Sequence, residues 1–81
     1  MRKRCDCCGY FTVAEKYDIC PVCFWENDPD QSACPDCAGG SNGVCLVEAK
    51  RNYKMFGACE ERFVTMVRSP HEHELGIGNE E

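Results

Sequence analysis

Two stretches decide how this chain folds: Cys5-Asp6-Cys7-Cys8-Gly9-Tyr10 and Ile19-Cys20-Pro21-Val22-Cys23-Phe24-Trp25-Glu26. Each carries a Cys-x-x-Cys pair, Cys5/Cys8 and Cys20/Cys23, and eleven residues, Gly9 to Ile19, separate the pairs. Within that spacer Tyr10 to Val13 and then Tyr17 and Ile19 have strand character around Ala14-Glu15-Lys16. The spacing predicts a short β-hairpin with a cysteine pair at each foot. Phe24-Trp25-Glu26 extends it as a third strand until Asn27-Asp28-Pro29-Asp30 breaks the run. A turn between paired cysteines aims two thiolates at one point about 2.3 Å away, and two such turns complete a tetrahedron with no open position. Cys5, Cys8, Cys20 and Cys23 are therefore the expected ligands of one structural zinc ion. Gly9 eases the first turn, and Pro21 presets φ in the second.

The rest of the composition says why such a site is needed. The chain has 81 residues, enough for one small domain, and nine of them are cysteine. Ordering a chain costs about 1.5 kcal/mol per residue, and chains this short usually need disulfides, a metal or a partner to offset it. Structural zinc contributes roughly 10–16 kcal/mol of apparent binding free energy. No apolar run of secretory-signal or membrane-spanning length is present, so the chain is expected in the cytoplasm with no membrane association. Thiols stay reduced there, and cysteine pairs read as metal ligands before disulfides. Nine Lys and Arg against fourteen Asp and Glu give a net charge of −5. Four thiolates around a divalent ion add about −2. That field repels phosphate backbones, so nucleic acid is disfavoured as a partner and protein is expected. The basic cluster Arg2-Lys3-Arg4 reads as a solvated terminus.

Asn27 to Gly43 has loop composition. A helix follows: Leu46, Ala49, Tyr53 and Phe56 recur at helical intervals, with Ser41 or Asn42 as N-cap and Gly57 as the C-terminal cap. A shorter second helix is expected from Glu60 to about Arg68, ended by Pro70. The domain is read as residues 1–70, and 71–81 as a flexible acidic tail. The fold class is thus a small metal-stabilised α+β protein, a zinc-ribbon-like hairpin with two cysteine knuckles followed by one or two helices.

Five cysteines exceed the needs of one site. Cys34, Cys37, Cys45 and Cys59 are candidates for a second metal or redox site, although Cys45 and Cys59 flank the helix some 20 Å apart at 1.5 Å per residue. Cys7, beside a ligand and near basic residues, is a candidate reactive thiol. Phe24 and Trp25 are the candidate partner surface. Glu26, Asp28 and Asp30 read as a solvated acidic turn. The glycine-rich run 38–43 lacks the lysine and spacing of a nucleotide loop, and no Ser-His-Asp set, helical zinc-protease motif or carboxylate pair points to catalysis.

Two resemblances add to this reading. The pairs Cys5/Cys8-Gly9-Tyr10 and Cys20-Pro21-Val22-Cys23 look like the two iron-ligand knuckles of a rubredoxin, but the spacer is much shorter than that family's insert; iron is the alternative to zinc. With Ala38 to Gly43, Leu46-Val47-Glu48-Ala49-Lys50 and Phe56-Gly57-Ala58-Cys59, residues 5 to 70 closely resemble the bacterial cysteine-rich CPCC family. That resemblance implies a small zinc-ribbon-type protein and supplies no reaction. The family's name-giving proline is Asp6 here. Where Cys34, Cys37 and Cys45 stand, the family commonly has Asp-Pro-Asp-Tyr and then Ser, so a second site would be an elaboration of this member. The expected function is a zinc-binding module for protein interaction or regulation without catalytic activity of its own, the alternatives being thiol-redox or metal-handling work by the extra cysteines, or rubredoxin-like electron transfer.

Overall fold

The computed structural model describes residues 2–75. Its α+β class is as expected, but the hairpin closes across a different pair of segments. Strand β1 (Lys3–Arg4) pairs antiparallel with β2 (Phe11–Val13), with Lys3 opposite Val13, Arg4 opposite Phe11, and an irregularity between the two pairs. The turn of this hairpin is therefore the first knuckle itself. Basic residues suit a two-stranded edge exposed to water, and they are not simply solvated: the Arg4 guanidinium lies 4.5 Å from the Phe11 ring centroid and Arg2 donates to the Thr12 carbonyl at 3.0 Å.

The segment from Tyr17 to Cys20 instead pairs with Trp25 to Asn27. Ile19 bridges Glu26, the Cys20 amide donates to the Trp25 carbonyl at 2.9 Å, and Tyr17 and Asn27 exchange bonds with the facing backbone at 2.7–2.8 Å. The expected third strand thus exists as a short ladder around the second knuckle. Asp18 accepts the Ala14 and Glu15 amides, both at 2.9 Å, and closes the reversal between the two ladders.

Asn27 to Gly43 is not all loop. Asp28 caps α1 (Pro29–Ala33), its carboxylate accepting the Asp30 and Gln31 amides, with Pro29 at the first helical position. A capping acid followed by proline is a helix start as well as a strand break. Asp28 is consequently buried and also accepts the Ser41 amide at 2.8 Å, which holds its carboxyl below the usual range; it is no solvated acidic turn. From α1, Gln31 reaches into the glycine-rich run, accepting from the Asn42 amide at 3.0 Å and donating to the Val44 carbonyl at 3.1 Å. A Cβ on Gly40 would stand 2.5 Å from the Gln31 side chain, so the run is glycine-rich because it wraps this glutamine. The Asn42 side chain pairs with both backbone groups of Glu26, at 2.8 and 3.0 Å, as a neighbouring strand would.

Helix α2 (Leu46–Phe56) matches its periodicity, burying Leu46 and Ala49 and half-burying Tyr53 and Phe56. Gly57 caps it at φ 87°, its amide donating to the Tyr53 carbonyl. The N-cap, however, is Cys45, because Asn42 is occupied at Glu26 and Ser41 at Asp28. The second helix shrinks to a 3₁₀ turn, Glu61–Phe63. The β-branched residues Val64, Thr65 and Val67 favour helix less, and the Arg68 amide is drawn to the Pro21 carbonyl at 3.1 Å. The segment beginning at His71, read as tail, continues the packed structure to Leu75. Residues Glu72–Glu74 form a 3₁₀ turn against β2, and the Arg68 guanidinium clasps buried Glu74 at 2.8 and 2.9 Å. This pair holds the Glu74 carboxyl down at about 2. The remainder of the expected tail, 76–81, lies outside the described residues.

The core is small and sulfurous. Cys5, Cys20, Cys23 and Cys59 are buried with Val13, Val22, Trp25, Leu46 and Ala49, flanked by Tyr10, Phe24, Val44, Tyr53 and Phe63. Trp25, expected at a partner surface, is 0% exposed. Its carbonyl closes the second knuckle, which turns the indole inward, where Nε1 has no hydrogen-bond partner. Leaving such a donor unpaired costs about 1–3 kcal/mol, set against the area that the largest side chain in the core removes from water.

Candidate metal centre

The two knuckles repeat one backbone pattern. In the first, the Gly9 amide donates to the Cys5 carbonyl at 2.8 Å and the Cys5 amide to the Tyr10 carbonyl at 2.8 Å. In the second, the Phe24 amide donates to the Cys20 carbonyl at 2.8 Å and the Cys20 amide to the Trp25 carbonyl at 2.9 Å. Gly9 and Phe24 occupy matching positions, and both have positive φ, 85° and 70°. Glycine adopts that conformation freely, whereas a bulky side chain is strained there. Phe24 is held by its ring, which stacks on Phe63 with centroids 4.4 Å apart. It is half-buried by this contact, so of the two residues expected at a partner surface only the edge of Phe24 reaches solvent.

The repeat brings Cys5, Cys8, Cys20 and Cys23 together, their sulfurs all within 4.8 Å of one another. Cys5 Sγ lies 3.5 Å from Cys23 Sγ and Cys8 Sγ 3.7 Å from Cys20 Sγ. Four sulfurs about 2.3 Å from a central zinc would stand roughly 3.8 Å apart, so the cluster has the size of a four-thiolate site. Cys5, Cys20 and Cys23 are 0–1% exposed, while Cys8 is half-buried. Cys20 is the most supported: Thr12 Oγ1 is 2.9 Å away, and the Val22 amide donates to its sulfur at 3.4 Å. Hydrogen bonds from Cys23, Cys5 and Cys8 lower the Cys20 thiol, whereas Cys5, Cys8 and Cys23 are raised, first by their bonds to Cys20. Crowding and burial of four sulfurs oppose their joint ionisation, and a bound cation would favour it. Lys50 and Lys54, one helical turn apart, line a cleft of about 400 Å³ with Tyr53, Asp6, Cys7 and Cys8. Asp6 accepts a hydrogen bond from Ser32, so it ties the first knuckle to α1.

The other cysteines do not assemble as one set. Cys34 and Cys37 are joined by a disulfide. Asp36 is the one other candidate ligand grouped with them; Cys45 and Cys59 are not in that group. Cys45 is half-buried at the start of α2, and Cys59 is buried beyond its other end, its amide bonded to the Cys23 carbonyl at 2.8 Å. Burial, with the nearby Cys7, pushes the Cys59 thiol up to about 12. Cys7, the candidate reactive thiol, is 7% exposed and packs against the four-cysteine cluster. The third group of candidate ligands, His71, His73 and Glu74, has exposed histidines and a carboxylate already engaged by Arg68. The polar tie between Gln31 and Asn42 escaped sequence reasoning; its signal was a capped helix eleven residues before an asparagine among glycines.

Paired knuckles closing on four clustered cysteines, with a helix laid beside them, define a small cysteine-rich domain with a site able to hold a metal ion. The model of the cysteine-rich CPCC family matches residues 3–74, and the chain belongs to that family. No match was found among curated proteins. No helix among the described residues is long and apolar enough to cross a membrane.

Proposed function

We propose that this protein is a zinc-loaded binding module: Cys5, Cys8, Cys20 and Cys23 hold one structural zinc ion, and the domain it folds acts by docking on a basic protein surface. The observation that carries the reading is the clustering of four mutually adjacent sulfurs, three of them buried, which together would fill a tetrahedral ion's coordination and leave no position for substrate. The zinc contributes folding free energy here, and the surrounding residues exclude water, fix the knuckles and balance charge. Support for the partner comes from charge and exposed apolar surface. The chain carries −5 before any thiolate is counted. Ile19, 48% exposed, borders a shallow depression with Phe24 and Phe63; Glu26 also lines it, and so does Glu60, paired with Arg62. A partner with lysine or arginine around an apolar side chain would complement that face.

Metal analysis is the first test, since one colourless zinc per chain supports the reading and a red, redox-active iron centre would replace it with a rubredoxin-like one. Cobalt-substituted protein should show a four-thiolate spectrum indifferent to added small ligands. For the surface, Ile19→Arg should weaken capture of a basic partner in crosslinking without changing zinc content; undiminished capture contradicts the assigned face.

A further inference from the structure

We propose that Cys34 and Cys37 form a reversible thiol–disulfide couple that exchanges electrons with external thiols independently of the four-cysteine centre. Of the nine cysteines, these two alone are bonded to each other, and the remaining seven are free. They are also the accessible pair: Cys37 is exposed and Cys34 half-buried, whereas three of the four clustered sulfurs are sealed.

The backbone holds the pair in place without help from the sulfurs. Cys34-Pro35-Asp36-Cys37 is a tight turn, the Cys37 amide donating to the Cys34 carbonyl at 2.9 Å, with proline where its fixed φ suits the turn. On one side the Cys34 amide donates to the Asp30 carbonyl of α1 at 3.1 Å; on the other the Val47 amide of α2 donates to the Pro35 carbonyl at 2.9 Å. The Cα atoms are 5.4 Å apart, within the range a disulfide spans. Opening the bridge therefore leaves the turn anchored and the thiols adjacent, so reclosure is local. As a crosslink the bridge encloses two residues and constrains the unfolded chain far less than a long loop would. Its chemistry is then exchange rather than stapling.

Metal binding by the same loop is poorly served. Asp36 supplies one carboxylate within 4.8 Å of both sulfurs, but neither Cys45 nor Cys59 joins the group, and three ligands from one exposed turn leave the shell open. The exchange balances with two equivalents of a thiol RSH. One thiolate attacks the exposed Cys37 sulfur, the S–S bond breaks, and its electron pair leaves on Cys34, which takes up a proton. A second thiolate attacks the R sulfur of the mixed disulfide, releasing Cys37 as thiol and R–S–S–R. Two electrons and two protons pass to the protein, and an external disulfide reverses the sequence. The substrate class is a small thiol or an accessible protein thiol pair.

The test equilibrates the full metal-loaded chain in glutathione buffers of graded ratio, quenches with acid, alkylates, and maps the modified cysteines by mass spectrometry. The expected result is a reversible gain of two alkylated thiols on reduction, assigned to Cys34 and Cys37, with metal content and thermal transition unchanged across it. Cys34→Ser should then trap a glutathione adduct on Cys37. The proposal is overturned if the folded chain keeps the bridge under excess dithiothreitol, or if it keeps both thiols under oxidised glutathione. It is equally overturned if oxidation maps to Cys5, Cys8, Cys20 or Cys23 with metal release, or if the reduced pair takes up a second equivalent of zinc. The wild-type mapping decides these outcomes even where a variant folds poorly.

Discussion

Replacing Cys20 with serine should destabilise the domain at neutral pH and weaken its zinc binding. Its sulfur is fully buried, 3.7 Å from Cys8 Sγ and within hydrogen-bonding reach of Thr12 and the Val22 amide. Natural domains hold about 0.05–0.15 kcal/mol of net stability per residue, or roughly 4–12 kcal/mol for a chain of this length. A structural zinc site contributes about 10–16 kcal/mol, so the proposed site would account for most or all of that margin. An equal share for one thiolate of four is about 2.5–4 kcal/mol, and a serine hydroxyl recovers little of that. Zinc affinity should therefore fall by about 60- to 700-fold. Competition against a chromophoric chelator measures the affinity, and circular dichroism follows the thermal transition. The control is Cys45→Ser, half-buried and outside the cluster, which should bind zinc as wild type does and melt no lower. The reasoning is refuted if Cys20→Ser binds zinc within about threefold of wild type and melts at the same temperature.

Gly40→Ala should destabilise by about 1–3 kcal/mol, since the added methyl meets the Gln31 side chain at 2.5 Å while Gln31 is held at both ends of its amide; chemical denaturation measures it, and a neutral result contradicts the wrapped-glutamine account. Asn42→Leu strands the backbone amide and carbonyl of Glu26 together, at a cost of about 2–4 kcal/mol, with faster hydrogen exchange at the Glu26 amide. Glu74→Gln should cost about 1–2 kcal/mol at neutral pH, discounted because Arg68 is partly solvated. The Glu74 carboxyl is held at about 2 against an ordinary 4.5. Its contribution is therefore full above about 4.5 and is lost as pH falls toward 2, so melting curves of wild type and variant should converge over that interval. A gap that instead widens on acidification would contradict the ion-pair assignment.

What the sequence made legible follows from the range of the interactions involved. The two Cys-x-x-Cys pairs could be read because ligand spacing in a knuckle is set by local covalent geometry, and the backbone bonds of both knuckles span at most five residues. Helix α2 could be read because its apolar stripe and Gly57 are local as well. The pairing of β2 with Lys3–Arg4 could not, since charged residues carry no strand pattern and Tyr17 to Ile19 offered a more apolar partner. Asp28-Pro29 announces both the end of a strand and the start of a helix, and the local sequence does not separate the two. Trp25 stands among acids in the sequence; its inward turn goes with the Cys20 amide held at its carbonyl and with Glu26 paired to Asn42, sixteen residues away. The docking of Glu74 on Arg68 joins two ordinary charges whose meeting depends on the Arg68 amide being caught by Pro21.

The central claim, a closed four-thiolate zinc centre at Cys5, Cys8, Cys20 and Cys23, is tested most directly by X-ray absorption at the zinc edge of the loaded chain. The account predicts a single shell of four sulfurs at about 2.3 Å, unchanged in the Cys34→Ser/Cys37→Ser variant. A shell containing nitrogen or oxygen, or one that loses sulfur in that variant, would contradict it.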